Sequence, residues 1–284
     1  MRSNEALVLQ DSFYYIYYAS AVAQDLFFFP YAIGHYYYAP GYTRRREHAL
    51  HNVQLIYVMN GEATIEYDGN ILQAKKGSFV ILDCTRVHSY HTEHGYETLW
   101  MHFQGQNAFA LANAIIDRAG CVINMEDPEA SYRKFREIYE TFHHNEPIHE
   151  ARLSELIYDL LCELYLYASS IDMKTEKPSA LGDVLSYINS HFRDDPDIDR
   201  LAGIVHISRY HFIRVFKKET GLTPHNYIVN LKIRAVKHLL QTTNLPIKDI
   251  CFETGFSSES VLCAAFKRST GMSPSEYRKG FSAE

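Results

Sequence analysis

From about residue 10 to residue 103 the chain is a series of short apolar runs separated by turn residues. Residues 54–59 (QLIYVM) run into Asn60-Gly61, residues 63–67 into Asp68-Gly69, residues 78–82 follow Lys76-Gly77, and residues 98–103 precede Gly105. Asn-Gly and Asp-Gly between β-rich runs are hairpin signals, and many short strands at this spacing predict a sandwich or barrel. Residues 106–170 then turn helical. Leu153, Leu156, Ile157, Leu160, Leu161 and Leu164 recur at the spacing of one helix face. That stripe has two readings, an intramolecular core and a dimer seam. Residues 171–180 (IDMKTEKPSA) are polar with a proline and read as a linker. From there to about Tyr277 the pattern is helical.

The helical end contains a repeat. Residues 201–224 read LAGIVHISRYHFIRVFKKETGLTP, and residues 250–274 read ICFETGFSSESVLCAAFKRSTGMSP. Phe216-Lys217, Gly221 and Pro224 recur as Phe266-Lys267, Gly271 and Pro274, fifty residues on. Each copy has the logic of a helix-turn-helix. A short helix (201–205; 247–254) ends in a tight turn, and Ser208 or Ser258 then starts a second helix as its N-cap. Gly221 and Gly271 suit the helix exit.

The second helix of copy one turns Phe212, Val215 and Phe216 inward. Helical spacing then puts Tyr210, Ile213, Arg214 and Lys217 on the opposite face, with Arg209 beside the cap. Arginine reaches guanine at two atoms, and lysine neutralises phosphate. In copy two Leu262, Ala265 and Phe266 face inward, and Ser260, Cys263, Ala264 and Lys267 outward. The expected division of labour is direct readout by copy one and backbone contact by copy two, at Ser258, Ser260, Cys263 and Lys267. Residues 225–242 read as one helix, a strut that could hold two recognition helices about one DNA turn apart, ~34 Å.

Charge supports a polyanion partner for this end. Residues 200–284 hold 13 Lys/Arg against 6 Asp/Glu, a net +7, whereas the rest of the chain nets −13. Overall the 284 residues are 46% hydrophobic and 22% charged, an ordinary globular balance that suits two domains. No apolar run approaches the ~20 residues that span a bilayer, and no signal peptide is read, so a cytoplasmic protein without a membrane partner is expected. Cys84, Cys121, Cys162, Cys251 and Cys263 are scattered without a CxxC pair and read as reduced thiols.

From Ala202 through Leu239-Leu240, Ile247, Asp249-Ile250, Gly255-Phe256, Phe266-Lys267, Gly271, Pro274 and Tyr277-Arg278, the chain resembles the AraC/XylS family of regulators. Lys232 and Cys251 stand where that pattern usually has Arg and Ala, Val261-Leu262 replaces Tyr-Phe, and Ala264 stands where many members have Arg. Residues 54–61, 76–82, 88–90 and 100–105 resemble the family's sugar-sensing cupin domain. The resemblance implies contact with RNA polymerase and activation of carbohydrate-utilisation genes. It also implies an α+β chain of several domains: a cupin-like β-barrel (1–105), a helical dimerisation segment (106–170), a linker (171–180) and an all-α DNA-binding domain with two helix-turn-helix units (181–284).

Cupins often hold a metal, but the usual ligand slots here carry His48, Leu50, Gln54 and His88. Two of the four are poor ligands, so neither metal nor cofactor is expected and the chain is not read as an enzyme. A sugar site needs an aromatic platform and fixed polar groups. Trp100 is the candidate platform; Arg46, His88, Tyr90 and His102 are the candidate polar contacts, Arg46, Tyr90 and Trp100 by resemblance to an arabinose-type pocket. Plain structural roles remain open for each: core for Trp100, surface charge for Arg46. The expected protein is a homodimeric, sugar-responsive DNA-binding regulator. A metal-dependent cupin enzyme fused to a DNA-binding domain and a ligand-blind regulator stay as alternatives.

Overall fold

The computed structural model describes residues 1–46, 50–175 and 181–280, with the backbone alone for 172–175. The chain divides into two compact units, Met1–Glu176 and Lys177–Glu284. No helix among the described residues is long and apolar enough to cross a membrane.

The first unit contains β1 (Phe13–Ile16), α1 (Ala21–Leu26), β2 (Phe29–Tyr38), β3 (Thr43–Arg46), β4 (Val53–Tyr67), β5 (Asn70–Lys75), β6 (Phe79–Asp83), β7 (His88–His91) and β8 (Tyr96–Gln104). After these come α2 (Ala108–Ala119), β9 (Val122–Ile123), α3 (Glu129–His143) and α4 (Glu150–Thr175). The strands pair in the order β1-β2-β8-β4-β6-β9, with β5 and β7 on the far half of β4 and β3 on β7. α1 interrupts the stretch expected to be β-structure throughout.

Asn60-Gly61 is not a hairpin turn. β4 runs through it, and its pairing with β8 slips between Val58 and Asn60. Gly61 adopts φ +73°, and a Cβ there would lie 2.5 Å from the Gly95 carbonyl oxygen. The glycine thus makes a bulged corner that carries one strand from the β6/β8 side to the β5/β7 side. Asp68-Gly69 does make the expected two-residue hairpin: Tyr67 pairs with Asn70, and both turn residues have positive φ, 50° and 76°.

The first half of β4 is buried on both faces. Val53, Leu55 and Tyr57 pack toward the helices, while Ile56 and Val58 line the barrel interior. The α4 stripe belongs to the first of these cores: Leu153, Leu156, Ile157, Leu160, Leu161 and Leu164 are all buried within the chain. A dimer seam made of these side chains is therefore excluded. At roughly 1.5–3 kcal/mol for each buried Leu or Ile, they are a main anchor of α4 on the barrel. α4 also continues to Thr175, five residues into the expected linker, because no helix breaker occurs before Pro178. The remainder of that stretch, 176–180, lies outside the described residues.

The second unit contains α5 (Leu181–His191), α6 (Ile198–Ile204), α7 (Arg209–Thr220), α8 (Pro224–Thr242), α9 (Ile247–Glu253), α10 (Glu259–Thr270) and α11 (Pro274–Lys279). Ser208 Oγ accepts from the His211 N–H and Ser258 Oγ from the Val261 N–H, so both serines cap recognition helices. Gly221 and Gly271 end those helices at φ 75° and 82°. Phe212 and Phe216 anchor one small core, Leu262 and Phe266 another, and α8 contributes Ile228 to the first and Ile233, Val236 and Leu240 to the second.

A buried lysine braces the two halves. Lys232 of α8, only 4% exposed, donates to the Gly255 carbonyl at 2.6 Å and pairs with Asp195 at 3.2 Å. Its ammonium lies 5.7 Å from the centre of the Phe256 ring. Asp195 precedes α6, and Gly255-Phe256 is the turn before α10, so one side chain spans both helix-turn-helix units.

Candidate ligand cavity and nucleic-acid interface

The barrel interior holds a cavity of about 470 Å³, a size typical of small-molecule sites. Arg46, Tyr90, Trp100 and His102 all border it. β8 brings Trp100 and His102, two residues apart, to one face. β3 and β7 pair so that Arg46 faces His88 and Arg44 faces Tyr90. Trp100 pairs across from Gly34 of β2, and a Cβ on Gly34 would sit 2.6 Å from the indole Cζ2. The missing side chain therefore gives the indole its place, and Tyr36 braces it edge-on at 5.1 Å between ring centres.

Several polar atoms around the cavity are unsatisfied. Arg46 Nε, Gln54 Oε1 and Trp100 Nε1 are buried without a hydrogen-bond partner. Each orphan costs about 1–3 kcal/mol unless something satisfies it. His102 Nδ1–H donates to Asn52 Oδ1 at 2.9 Å. Burial first, then the nearby Arg46 and His88, push its pKa down to about 3, so the ring is neutral near pH 7. Burial pushes the Cys84 thiol beside it up to about 12, which leaves the sulfur protonated. The N-terminal segment contributes Glu5 to the cavity wall, where its carboxylate accepts from the Tyr42 hydroxyl at 2.8 Å and from Arg44 at 2.9 Å.

His88 departs from expectation. It is 2% exposed but does not border the cavity. Its Nδ1–H donates to the Arg86 carbonyl at 2.9 Å, which turns the ring toward its own strand's entry loop. Burial holds its pKa below the usual histidine value.

On the second unit, α7 exposes Arg209, Tyr210, Arg214 and Lys217; Tyr210 is 87% exposed although aromatic. Arg209 pairs with Asp199 of α6 at 3.0 Å, and the Arg214 guanidinium lies 3.3 Å from His211 Nδ1. On α10, Ser260 and Lys267 are exposed, and Ser258 is committed as an acceptor to its own helix. Ile213 and Cys263 are half-buried and pack against the two cores. Each follows a core residue, Phe212 or Leu262, by one position, and a step of ~100° does not clear the core edge.

Residues 29–161 match a family profile described as an AraC-like ligand binding domain, and residues 201–280 match one described as a helix-turn-helix domain. Together the two profiles span about three quarters of the chain. The chain belongs to the AraC family. It is 23% identical over 249 residues to the raffinose operon transcriptional regulatory protein of Pediococcus pentosaceus, covering 84% of this chain and 89% of that one. It is 31% identical over 118 residues to the transcriptional activator RhaS of Escherichia coli O9:H4 (strain HS), covering 41% of this chain and 42% of that one. Among solved structures it resembles the DNA-binding domain of AdpA in complex with a target DNA, at 28% identity and a TM-score of 0.35, over 36% of this chain and 93% of that one. This AraC-family chain is thus a DNA-binding transcription regulator with a ligand-binding N-terminal domain.

In this AraC-family regulator the residues counted into the cupin ligand slots have different fates. Gln54 and Leu50 border the cavity, and His48 lies outside the described residues. Sequence reasoning missed Tyr36, Tyr38, Tyr42, Asn52 and Glu5 as cavity residues. For Tyr36 and Tyr38 a signal existed, since they sit two apart on β2 and so share a face. Glu5 offered none, because it reaches the barrel from a segment outside any regular strand.

Proposed function

We propose that this regulator senses a saccharide in its barrel cavity and adjusts its occupancy of DNA accordingly. The observation that carries the reading is the joining, around one cavity, of a fixed indole platform with three buried polar atoms that lack partners among the described residues. Sugars offer apolar C–H faces and many hydroxyls, and so match both features. The relative named for the raffinose operon supports the same class of ligand. Arg46, Tyr90, Trp100 and His102 are the proposed contacts. Thermal-shift measurements on the full chain over a panel of sugars test this. A ligand at about 100 times its Kd should stabilise by ~2.7 kcal/mol. Footprints of the operator with and without that sugar then test coupling; footprints indifferent to every sugar that binds would overturn it.

We further propose that α7 reads sequence through Arg214, with Tyr210 and Arg209 beside it, and that Lys217 contacts phosphate. On α10, Ser260 and Lys267 contact the backbone. The protein works as a cytoplasmic homodimer, activates carbohydrate-utilisation genes and contacts RNA polymerase, as its family resemblance implies. The dimer contact falls on the outer face of α4, where Tyr158 and Leu166 are 53% and 67% exposed.

A further inference from the structure

The inside face of β3 presents two arginines, Arg44 and Arg46, in different electrostatic states. Arg44 is matched by Glu5 at 2.9 Å. Arg46 has no carboxylate in ion-pair distance among the described residues, and its Nε is buried without a partner. The other titratable groups near it do not compensate. His102 is neutral, and its pKa near 3 is itself partly the work of Arg46. Tyr90 and Cys84 feel the same positive charge, yet burial keeps both protonated. With Glu5 matched by Arg44, Arg46 is the arginine at the cavity left without a paired carboxylate among the described residues, inside walls that are largely aromatic. A cation there gains from an anionic acceptor what a neutral hydroxyl cannot supply, and a guanidinium fork fits a carboxylate at two oxygens.

We infer that the ligand is an acidic saccharide bearing one carboxylate, a uronic acid or a glycoside of one, bound with its carboxylate on Arg46 and a sugar face on Trp100. This rests on the saccharide reading above and narrows it. A single carboxylate balances a single guanidinium. A sugar phosphate brings up to two negative charges and leaves the excess in a poorly solvated wall.

The test uses matched ligands on the full-length protein: galactose, galacturonate and galactose 6-phosphate, then glucose, glucuronate and glucose 6-phosphate, read by calorimetry and thermal shift. The expected result is that one uronate binds at least about tenfold more tightly than its neutral and phosphorylated partners. Arg46→Gln should erase that preference while leaving the melting temperature of the ligand-free protein near its original value, since Arg46 Nε has no partner among the described residues. Arg46→Lys, which keeps charge but loses the fork, should fall between. Trp100→Ala should weaken the acidic and neutral sugars alike. A neutral sugar binding as well as its uronate, a phosphate preferred, no uronate bound, or a preference that survives Arg46→Gln would each overturn the inference. Simple carboxylates such as benzoate provide the separating arm. If they bind through Arg46 while no sugar does, the saccharide reading fails and the anion site stands. If neutral sugars bind and uronates do not, the saccharide reading stands and the acidic ligand fails.

Discussion

Gly34 and Trp100 show how one absent side chain shapes a site. A Cβ on Gly34 would overlap the indole at 2.6 Å and the Phe13 carbonyl oxygen at 2.9 Å, so Gly34→Ala must displace the ring from its seat or shift β1. The expected outcome is a folded protein whose sugar-induced thermal shift is lost or cut at least about tenfold in affinity, because ~1 Å of displacement removes the stacking surface. His102 carries a pH signature. Its folded pKa near 3 lies below the ~6.5 of an unfolded chain, so the unfolded state takes up the proton first as pH falls. Its contribution is complete above about pH 6.5 and is lost toward pH 3, at up to ~1.4 kcal/mol per unit. Denaturant titrations at about pH 7.5 and about pH 5 should show a loss on the order of 2 kcal/mol, smaller in His102→Asn. On α7, Arg214→Ala should cost roughly 1–3 kcal/mol and relax one base pair, while Lys217→Ala should weaken all sequences alike and lower the salt slope by about one. Binding to an operator series in several salt concentrations separates the two; unchanged discrimination in Arg214→Ala removes it from base readout.

At the scale of elements, β4 and α8 do more than their hydrophobic patterns announce. β4 looked like two strands and a turn, because Asn60-Gly61 is a strong local hairpin signal. Its flanking runs instead pair with four different strands, and those long-range partners outweigh a local turn preference. α8 was legible as a strut, but its brace was not. Lys232 stood out only as a lysine where the family usually has arginine, whereas it is a buried ammonium held by Gly255, Asp195 and Phe256. Lys232→Met should leave the Gly255 carbonyl without its donor and destabilise the second unit by about 1–3 kcal/mol. Because the lysine ties both helix-turn-helix units, operator affinity should fall more than single half-site affinity does. Equal losses on the two kinds of DNA would reduce Lys232 to a purely structural role.

For the whole molecule, the buried α4 stripe bears on assembly. With Leu153 through Leu164 turned into the core, the proposed homodimer contact on α4 is left to the outer residues of the helix. Leu166→Glu is expected to leave the fold intact, since the side chain is 67% exposed, and to shift sedimentation toward the monomer. A dimer that persists through Leu166→Glu combined with Tyr158→Glu would move the contact elsewhere. Loss of the dimer should also weaken binding to paired half-sites more than to one. Ligand response and DNA occupancy couple only to the extent that the sugar favours one state of the protein over another.

Sequence by itself determined the properties that repeat along the chain or depend on nearest neighbours. The tandem helix-turn-helix, its serine caps and glycine exits, the Asp68-Gly69 hairpin and the amphipathic α4 are all periodic or local, so residue spacing suffices to read them. It also nominated Trp100, Tyr90, Arg46 and His102, which the barrel gathers around one cavity. Tertiary structure alone decided that the α4 stripe packs within the chain, that β4 passes through its apparent turn, and that His88 does not border the cavity. It alone brought Glu5 to Arg44 and left Arg46 without a paired carboxylate among the described residues. Those outcomes depend on groups distant in sequence competing for the same small volume, and no spacing rule along the chain encodes who is near whom.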